Sequence, residues 1–482
     1  MARASTLTYD RGTLVLHPPP KGKRWLEFVT WDDRIEKFRL PAHDYRRFVE
    51  VTRQEGVEIV DKARAFQDLN LAPQETREPY THQLEALEAW KRQGRQGVVV
   101  LPTGAGKTFV AQLVIQETPR STLIVVPTLD LMHQWYANLS AAFPDAEVGL
   151  LGGGSKDETP ILISTYDSAA IFAEKLGNRY GLLIFDECHH LPGEFTRTIA
   201  LYSLAPYRLG LTATPERSDD KHADLDTLIG NIVYRRAPED LAGGALSEHK
   251  IKQIRVSLTE AERADYEALI EQRNTFLAKN GIFLGSLNGW QRFVQASARS
   301  SEGRSAMLAH RQARQIAFGT GAKLRVLSDL LEQHASDRVL VFTDDNATVY
   351  RISQAFLIPA ITHQTKVKER HDTLQKFREG VYPRVVTSRV LNEGVDVPEA
   401  NVAVVLSGTG STREYVQRLG RILRKGEGKL ALLYEVIAEN TSEEGVSKRR
   451  RERPKVTKEV DVQGSLDFEK IGGHESVSFE EL

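Results

Sequence analysis

This sequence predicts an α/β protein built on two successive parallel sheets, and three observations carry the prediction. Apolar runs such as GVVVL (97–101), STLIVVP (121–127), LLIFDE (182–187) and YRLGLTAT (207–214) are bounded by turn residues, as strands buried on both faces are. Helical periodicity lies between them, and that alternation is what parallel pairing requires. The pattern resumes at RVLVFT (338–343), PRVVTS (383–388) and NVAVVLS (401–407), after an interval at 259–320 that lacks such runs.

The elements follow in order. LTYDRGTLVL (7–16) reads as two short strands around Asp10-Arg11-Gly12, Trp25 to Trp31 alternates as a third strand does, and a helix-like segment runs from about Asp44 to Glu55. This predicts a small N-terminal α+β domain over 1–66, with a polar linker from Gln67 to Arg77. The first sheet domain is expected over 77–245 and the second over 246–440. The interval 259–320 reads as helices broken at Asn280-Gly281 and near Asn288-Gly289. Its second half carries Arg292, Arg299, Arg304, Arg311 and Arg314 against one acid, Glu302, which makes a basic helical surface. Trp290 and Phe293, three apart, read first as core residues of these helices and second as platforms for stacking bases. From 441 to 482 a basic run and then an acid-rich segment predict a flexible tail, in which Leu466, Phe468 and Ile471 could dock.

Composition excludes whole classes of function. With 41% hydrophobic and 27% charged residues and no apolar run near the roughly 20 needed to cross a bilayer, a membrane-embedded protein is not expected. A single cysteine, Cys188, rules out an internal disulfide framework, and no secretory signal opens the chain, so a cytoplasmic protein is expected, nucleoid-associated if prokaryotic. The net charge of -1 means that any nucleic acid would be held by local patches.

The chemistry concentrates after the strand-like runs. In LPTGAGKTF (101–109) the small loop Thr103-Gly104-Ala105-Gly106 lets backbone amides close around phosphate oxygens, Lys107 brings charge to the terminal phosphates, and the Thr108 hydroxyl can ligate magnesium. Leu101 stands where the strict pattern wants its first glycine. At the end of LLIFDECHH, Asp186 would hold magnesium through water and Glu187 would orient or deprotonate an attacking water. His189 and His190 lack the further ligands that zinc needs, and Cys188, beside two acids, reads as structural.

PTGAGKT, DECHH, TAT, TSRVLNEGVDVP and QRLGRILR resemble, in order and spacing, the motifs of superfamily 2 helicases. PYTHQ, VVPTLDLMHQW, LIFDECHH, RLGLTATPERSDD and REYVQRLGRILR narrow the resemblance to the XPB family, in its compact archaeal form. The resemblance implies two tandem RecA-like parallel-sheet domains, an N-terminal damage-recognition domain and a helical thumb insertion at 259–320. It implies ATP and Mg2+ as cofactors, with Gln83 on adenine and Glu393, Gly394 and Asp396 beside the nucleotide. Gln417, Arg421 and Arg424 would reach into the cleft from the second domain. Pro127, Thr128, Thr165, Thr343, Thr387 and Ser388 would grip the nucleic-acid backbone. At Arg217-Ser218-Asp219 the family carries an Arg-Glu-Asp triplet associated with unwinding, so Ser218 implies weaker strand separation with near-normal ATP hydrolysis.

A motor so built holds a strand by its backbone and reads no sequence. The resemblance implies 3′ to 5′ movement on DNA in repair, a monomeric motor, single strands and distorted duplex as substrates, and a possible companion endonuclease. Lys21, Lys23 and Arg24 beside Trp25 offer a basic-aromatic edge for sensing distortion. An RNA helicase and an ATP-driven adaptor for a nuclease remain open beside the DNA motor.

Overall fold

The computed structural model describes residues 4–72, 74, 77–216, 221–241, 248–286, 288–388, 400–407 and 430–451. Ser5–Asp10 and Thr13–His17 pair antiparallel around Arg11 (φ 46°) and Gly12 (φ 87°), the two left-handed residues that a tight hairpin turn demands. Gly12 is required twice over, because a Cβ there would sit 2.5 Å from the Tyr202 ring. The five-stranded sheet runs Thr30–Asp32, Lys37–Pro41, Thr13–His17, Ser5–Asp10, Ile59–Asp61, and the helix Tyr45–Gln54 adds Tyr45 and Phe48 to its core.

The strand expected over Trp25 to Trp31 needs correction. Arg24–Phe28 is a 3-10 helix and only Thr30–Asp32 is extended. Trp25 and Phe28, three apart, turn to the same side of a three-residue period, and Trp25 packs edge-on against Phe38 at 5.1 Å. Trp25 is therefore core, at 3% exposure, and the aromatic this unit offers to solvent is Trp31, at 51%. Docking onto the next unit adds polar contacts to the packing of Leu204 in this core: the Tyr9 hydroxyl lies 3.0 Å from the carbonyls of both Glu174 and Tyr202, and Arg46 donates to the carbonyls of Gly94 and Pro206. The connecting segment is stitched down, with Leu69 N donating to Pro119 O and Gln67 N to Ser121 Oγ.

In the first large sheet the order is Ile232–Arg235, Gln96–Val100, Tyr207–Thr212, Leu182–Asp186, Thr122–Val126, Ile161–Thr165, Val148–Gly152, Ser155–Lys156. Every pairing but the last is parallel. The second is parallel throughout: Glu248–Val256, Leu430–Ala438, Val402–Val405, Val339–Phe342, Arg384–Thr387, Ala360–Ile361. Both central strand sets are fully buried Val, Leu, Ile and Phe, which explains why they read as unbroken apolar runs.

Glu260–Lys279, Gly289–Ala298 and Ser301–Gly319 form the helical insertion. Glu262 closes its base, its Oε2 accepting from Thr259 N and from the Thr320 hydroxyl, both at 3.0 Å. Phe293 is fully buried against Phe276, but Trp290 is 48% exposed, so only one of the pair is core.

The tail expected from 441 begins instead as a helix, Ser442–Arg451. Its anchor is Glu443, whose carboxylate takes two 2.6 Å hydrogen bonds from Lys323 Nζ and one of 2.8 Å from Ala438 N, with Lys323 and Glu443 both buried. A charged residue in a polar segment thus holds the chain against the second sheet domain.

Candidate nucleotide and nucleic-acid site

The strand Gln96–Val100 runs into a loop and then into the helix Lys107–Glu117. Leu101 occupies the glycine position because it still belongs to the sheet: its N–H donates to Thr212 O and its side chain is buried. Gly104 (φ 88°) and Gly106 (φ 81°) provide the left-handed turns, and a Cβ on Gly106 would lie 2.3 Å from Gln83 Nε2. Gln83 buttresses this loop, donating through Nε2 to Ala105 O at 3.2 Å while its Oε1 accepts from Tyr80 N. His82 Nε2 also lies 2.9 Å from Ala105 O. Lys107 Nζ donates to Leu101 O at 3.3 Å, folded into the loop's own concavity. The Thr103 hydroxyl is buried without a partner among the described residues, an orphan that an oxygen-rich ligand would satisfy. Loop and side chains fit a nucleotide polyphosphate.

Across the intervening strand Tyr207–Thr212 stand Asp186 and Glu187. Trp135 Nε1 donates to Asp186 Oδ2 at 2.9 Å, and Glu187 N donates to Oδ1 at 3.0 Å. Burial, and then the Glu187 charge, raise the Asp186 carboxyl to about 6, with Lys107 acting in the opposite direction. Glu187 sits in a left-handed conformation (φ 47°) and its Oε2 lies 3.3 Å from Thr212 Oγ1 and 3.4 Å from His189 Nδ1. The Thr212 hydroxyl also accepts from Thr214 N, so this threonine joins the acid pair to the turn that follows its strand. Cys188 is buried, and burial drives its thiol well above the ordinary range, as a structural residue requires. No group of three or more metal-ligating side chains exists among the described residues. Sequence reasoning missed Trp135 and Thr212, which lie 51 and 25 residues from their acidic partners.

Pro127 and Thr128 follow the strand Thr122–Val126, and Thr165 ends the neighbouring strand. Thr128 and Thr165 each cap a helix, accepting from Leu131 N and Ser168 N, so two helix N-termini open on one rim of the sheet. On the second sheet Thr343 N donates to Thr387 O, which gathers Thr343, Thr387 and Ser388 at one set of strand ends. Their side chains are buried, and the hydroxyls of Thr343 and Thr387 donate to the carbonyls of Asp345 and Ser388. The Ser388 N–H is engaged as well, donating to Ile361 O at 3.3 Å. Arg217, Ser218, Asp219, Glu393, Gly394, Asp396, Gln417, Arg421 and Arg424 lie outside the described residues. Arg370 and Asp130 form an ion pair of 3.3 Å between the two sheet domains.

Comparison with known proteins places these features in context. Residues 7–63 match the Xeroderma pigmentosum group B helicase damage recognition domain, residues 76–217 the Type III restriction enzyme, res subunit, and residues 322–426 the Helicase conserved C-terminal domain. A DNA 3'-5' translocase XPB2 from Sulfurisphaera tokodaii is 42% identical over 424 residues, covering 88% of this chain and 96% of the relative. A DNA 3'-5' helicase XPB from Mycobacterium tuberculosis is 30% identical over 454 residues, 90% of this chain and 70% of the relative. The crystal structure of the Pyrococcus furiosus Hef helicase domain superposes with a TM-score of 0.54 over 78% of this chain and 98% of that one; at 19% identity the likeness concerns the fold. No helix among the described residues is long and apolar enough to cross a membrane.

Proposed function

The chain belongs to the XPB family of helicases, and from that premise we propose that it is an ATP-dependent DNA translocase that moves 3′ to 5′ and separates strands in excision-type repair. The observation that carries this reading is the alignment, at the ends of three adjacent strands, of the Lys107 loop, Thr212 and the Asp186–Glu187 pair. Lys107 neutralises the terminal phosphates, and the amides of Thr103, Gly104, Ala105 and Gly106 hold the phosphate oxygens. Gln83 contacts adenine from the position where it braces Ala105. Thr108 and Asp186 would hold Mg2+, which when bound neutralises charge on the phosphoryl group being transferred. Glu187, kept in place beside Thr212 and His189, orients the attacking water and takes its proton.

Coupling to motion follows from the division of labour. Gly394, Asp396, Gln417, Arg421 and Arg424 complete the cleft from the second domain, so hydrolysis waits for closure. Pro127, Thr128 and Thr165 hold the strand on the first sheet's rim, and the segments of Thr343, Thr387 and Ser388 hold it on the second. Arg217, Ser218 and Asp219 act at the point of strand separation. The damage-recognition unit presents distorted duplex, the motor works as a monomer, and a companion endonuclease is a partner. Strand displacement from a 3′ overhang and none from a 5′ overhang is the expected outcome; unwinding from a 5′ overhang alone contradicts the polarity.

The Asp186 carboxyl gives a pH dependence with a definite sign. Its folded value, about 6 against 3.8, means that the folded state binds this proton more tightly. Stability from the protonated group is therefore present below the unfolded value and is lost as the pH rises through about 6. A cation takes the proton's place. Thermal stabilisation by Mg2+ with a non-hydrolysable ATP analogue should be larger at about pH 7.5 than at about pH 5.5. Equal stabilisation at both would remove Asp186 from the cation site.

A further inference from the structure

The outer face of the thumb holds a groove of about 530 Å3 between Gly289–Ala298 and Ser301–Gly319. Trp290, Val294 and Leu308 line it while remaining 48%, 43% and 56% exposed, an apolar surface left open on the helical unit. Arginines rim it. Arg314 pairs with Asp344 at 2.8 Å, whereas Arg304 and Arg311 have no acidic partner among the described residues. The groove's field is positive: His310 on its wall is lowered to about 4, first by burial and then by Arg273, Arg314 and Arg311. An occupant should combine apolar side chains with negative charge.

Residues 459–482 have that composition, with seven acids against one lysine and with Leu466, Phe468 and Ile471 among them. Their tether leaves from the right place. The helix Ser442–Arg451 packs against the thumb helix Ser301–Gly319, and Ser442 N donates to the hydroxyl of Tyr266 on another thumb helix. From Arg451 to Leu466 the chain can span up to about 50 Å. A tether of this kind gives an effective concentration on the order of millimolar, so a weak contact is populated.

We propose that residues 459–482 dock in the thumb groove, seating Leu466 and Phe468 against Trp290, Val294 and Leu308 and setting their acids against Arg304 and Arg311. The apolar floor favours this occupant over a nucleic-acid backbone, and the tether favours it over a second copy. The basic run 448–458 is a rival seat for the acids, yet it contains only Val456 to receive large apolar side chains. Competition between the docked segment and DNA would further rest on the DNA-motor reading above.

Disulfide trapping in the full chain tests this. Ser305→Cys, exposed one turn before Leu308, is combined with Ser465→Cys; the native Cys188 is buried and does not compete. The expected result is an intramolecular crosslink whose rate is independent of protein concentration, slowed about three- to tenfold by Arg304→Glu with Arg311→Glu. Crosslinking that rises with concentration would assign the groove to a second copy and overturn the proposal. Absence of a crosslink, or a rate indifferent to the charge reversal, would overturn it as well. Single-stranded DNA added to the trapping reaction separates the two readings: slower crosslinking supports competition, whereas an unchanged rate overturns the competition and leaves the docking standing.

Discussion

Lys107→Ala is expected to reduce ATP hydrolysis by about 10²-fold or more, the usual cost of deleting a charge that faces the developing negative charge of a transition state. DNA binding without nucleotide should remain within about twofold, since Lys107 Nζ points into its own loop at Leu101 O and the proposed strand contacts lie beyond other strand ends. Only one partly buried hydrogen bond is lost, so the stability change should stay near about 1 kcal/mol. Steady-state ATPase assays and strand-binding titrations on the same preparation check both halves. If this variant also stimulated a nuclease partner while unwinding nothing, part of the protein's work would be that of an adaptor.

Glu443→Ala should cost about 3–5 kcal/mol, the largest stability effect expected of any single substitution considered, because it strands a buried ammonium. Lys323 Nζ would keep the uncharged Leu406 carbonyl at 2.6 Å but lose the carboxylate, and Ala438 N would lose its acceptor. Leu406 continues from the strand Val402–Val405, and Ser407 Oγ accepts from Asp344 N, which holds Arg314 of the thumb. Disturbance at Glu443 therefore reaches the loop that carries Thr343. Replacing both partners, Lys323→Met with Glu443→Leu, should recover most of the loss, since well-packed apolar groups replace a buried pair at little cost. Denaturant unfolding of the three variants measures this, and equal loss in the single and double variants would show that the ion pair is not what holds the helix.

The parts of the fold that were legible in the sequence share one physical property. Val98 to Val100, Leu123 to Val126, Leu182 to Phe185 and Val402 to Val405 are buried on both faces, so hydrophobicity alone marks them. The loop of Lys107 and the acids Asp186 and Glu187 were legible because their chemistry depends on local spacing. Where spacing was ambiguous the reading failed. Trp25 and Phe28, three apart, fit the three-residue period of a 3-10 helix and fall on opposite faces of a strand, and Trp290 and Phe293 share a helix face without sharing burial. Glu443 was hidden for another reason: its helix is among the most polar in the chain, and one buried carboxylate anchors it. Trp135 and Thr212 support the acid pair through tertiary contacts that no local pattern announces.

Nucleic-acid stimulation of ATP hydrolysis by the purified chain is the decisive measurement for a DNA motor. The expected result is a low basal rate that single-stranded DNA raises well above the effect of an equal length of RNA, and that Lys107→Ala eliminates. Hydrolysis indifferent to DNA would contradict a motor that couples nucleotide chemistry to movement along a strand.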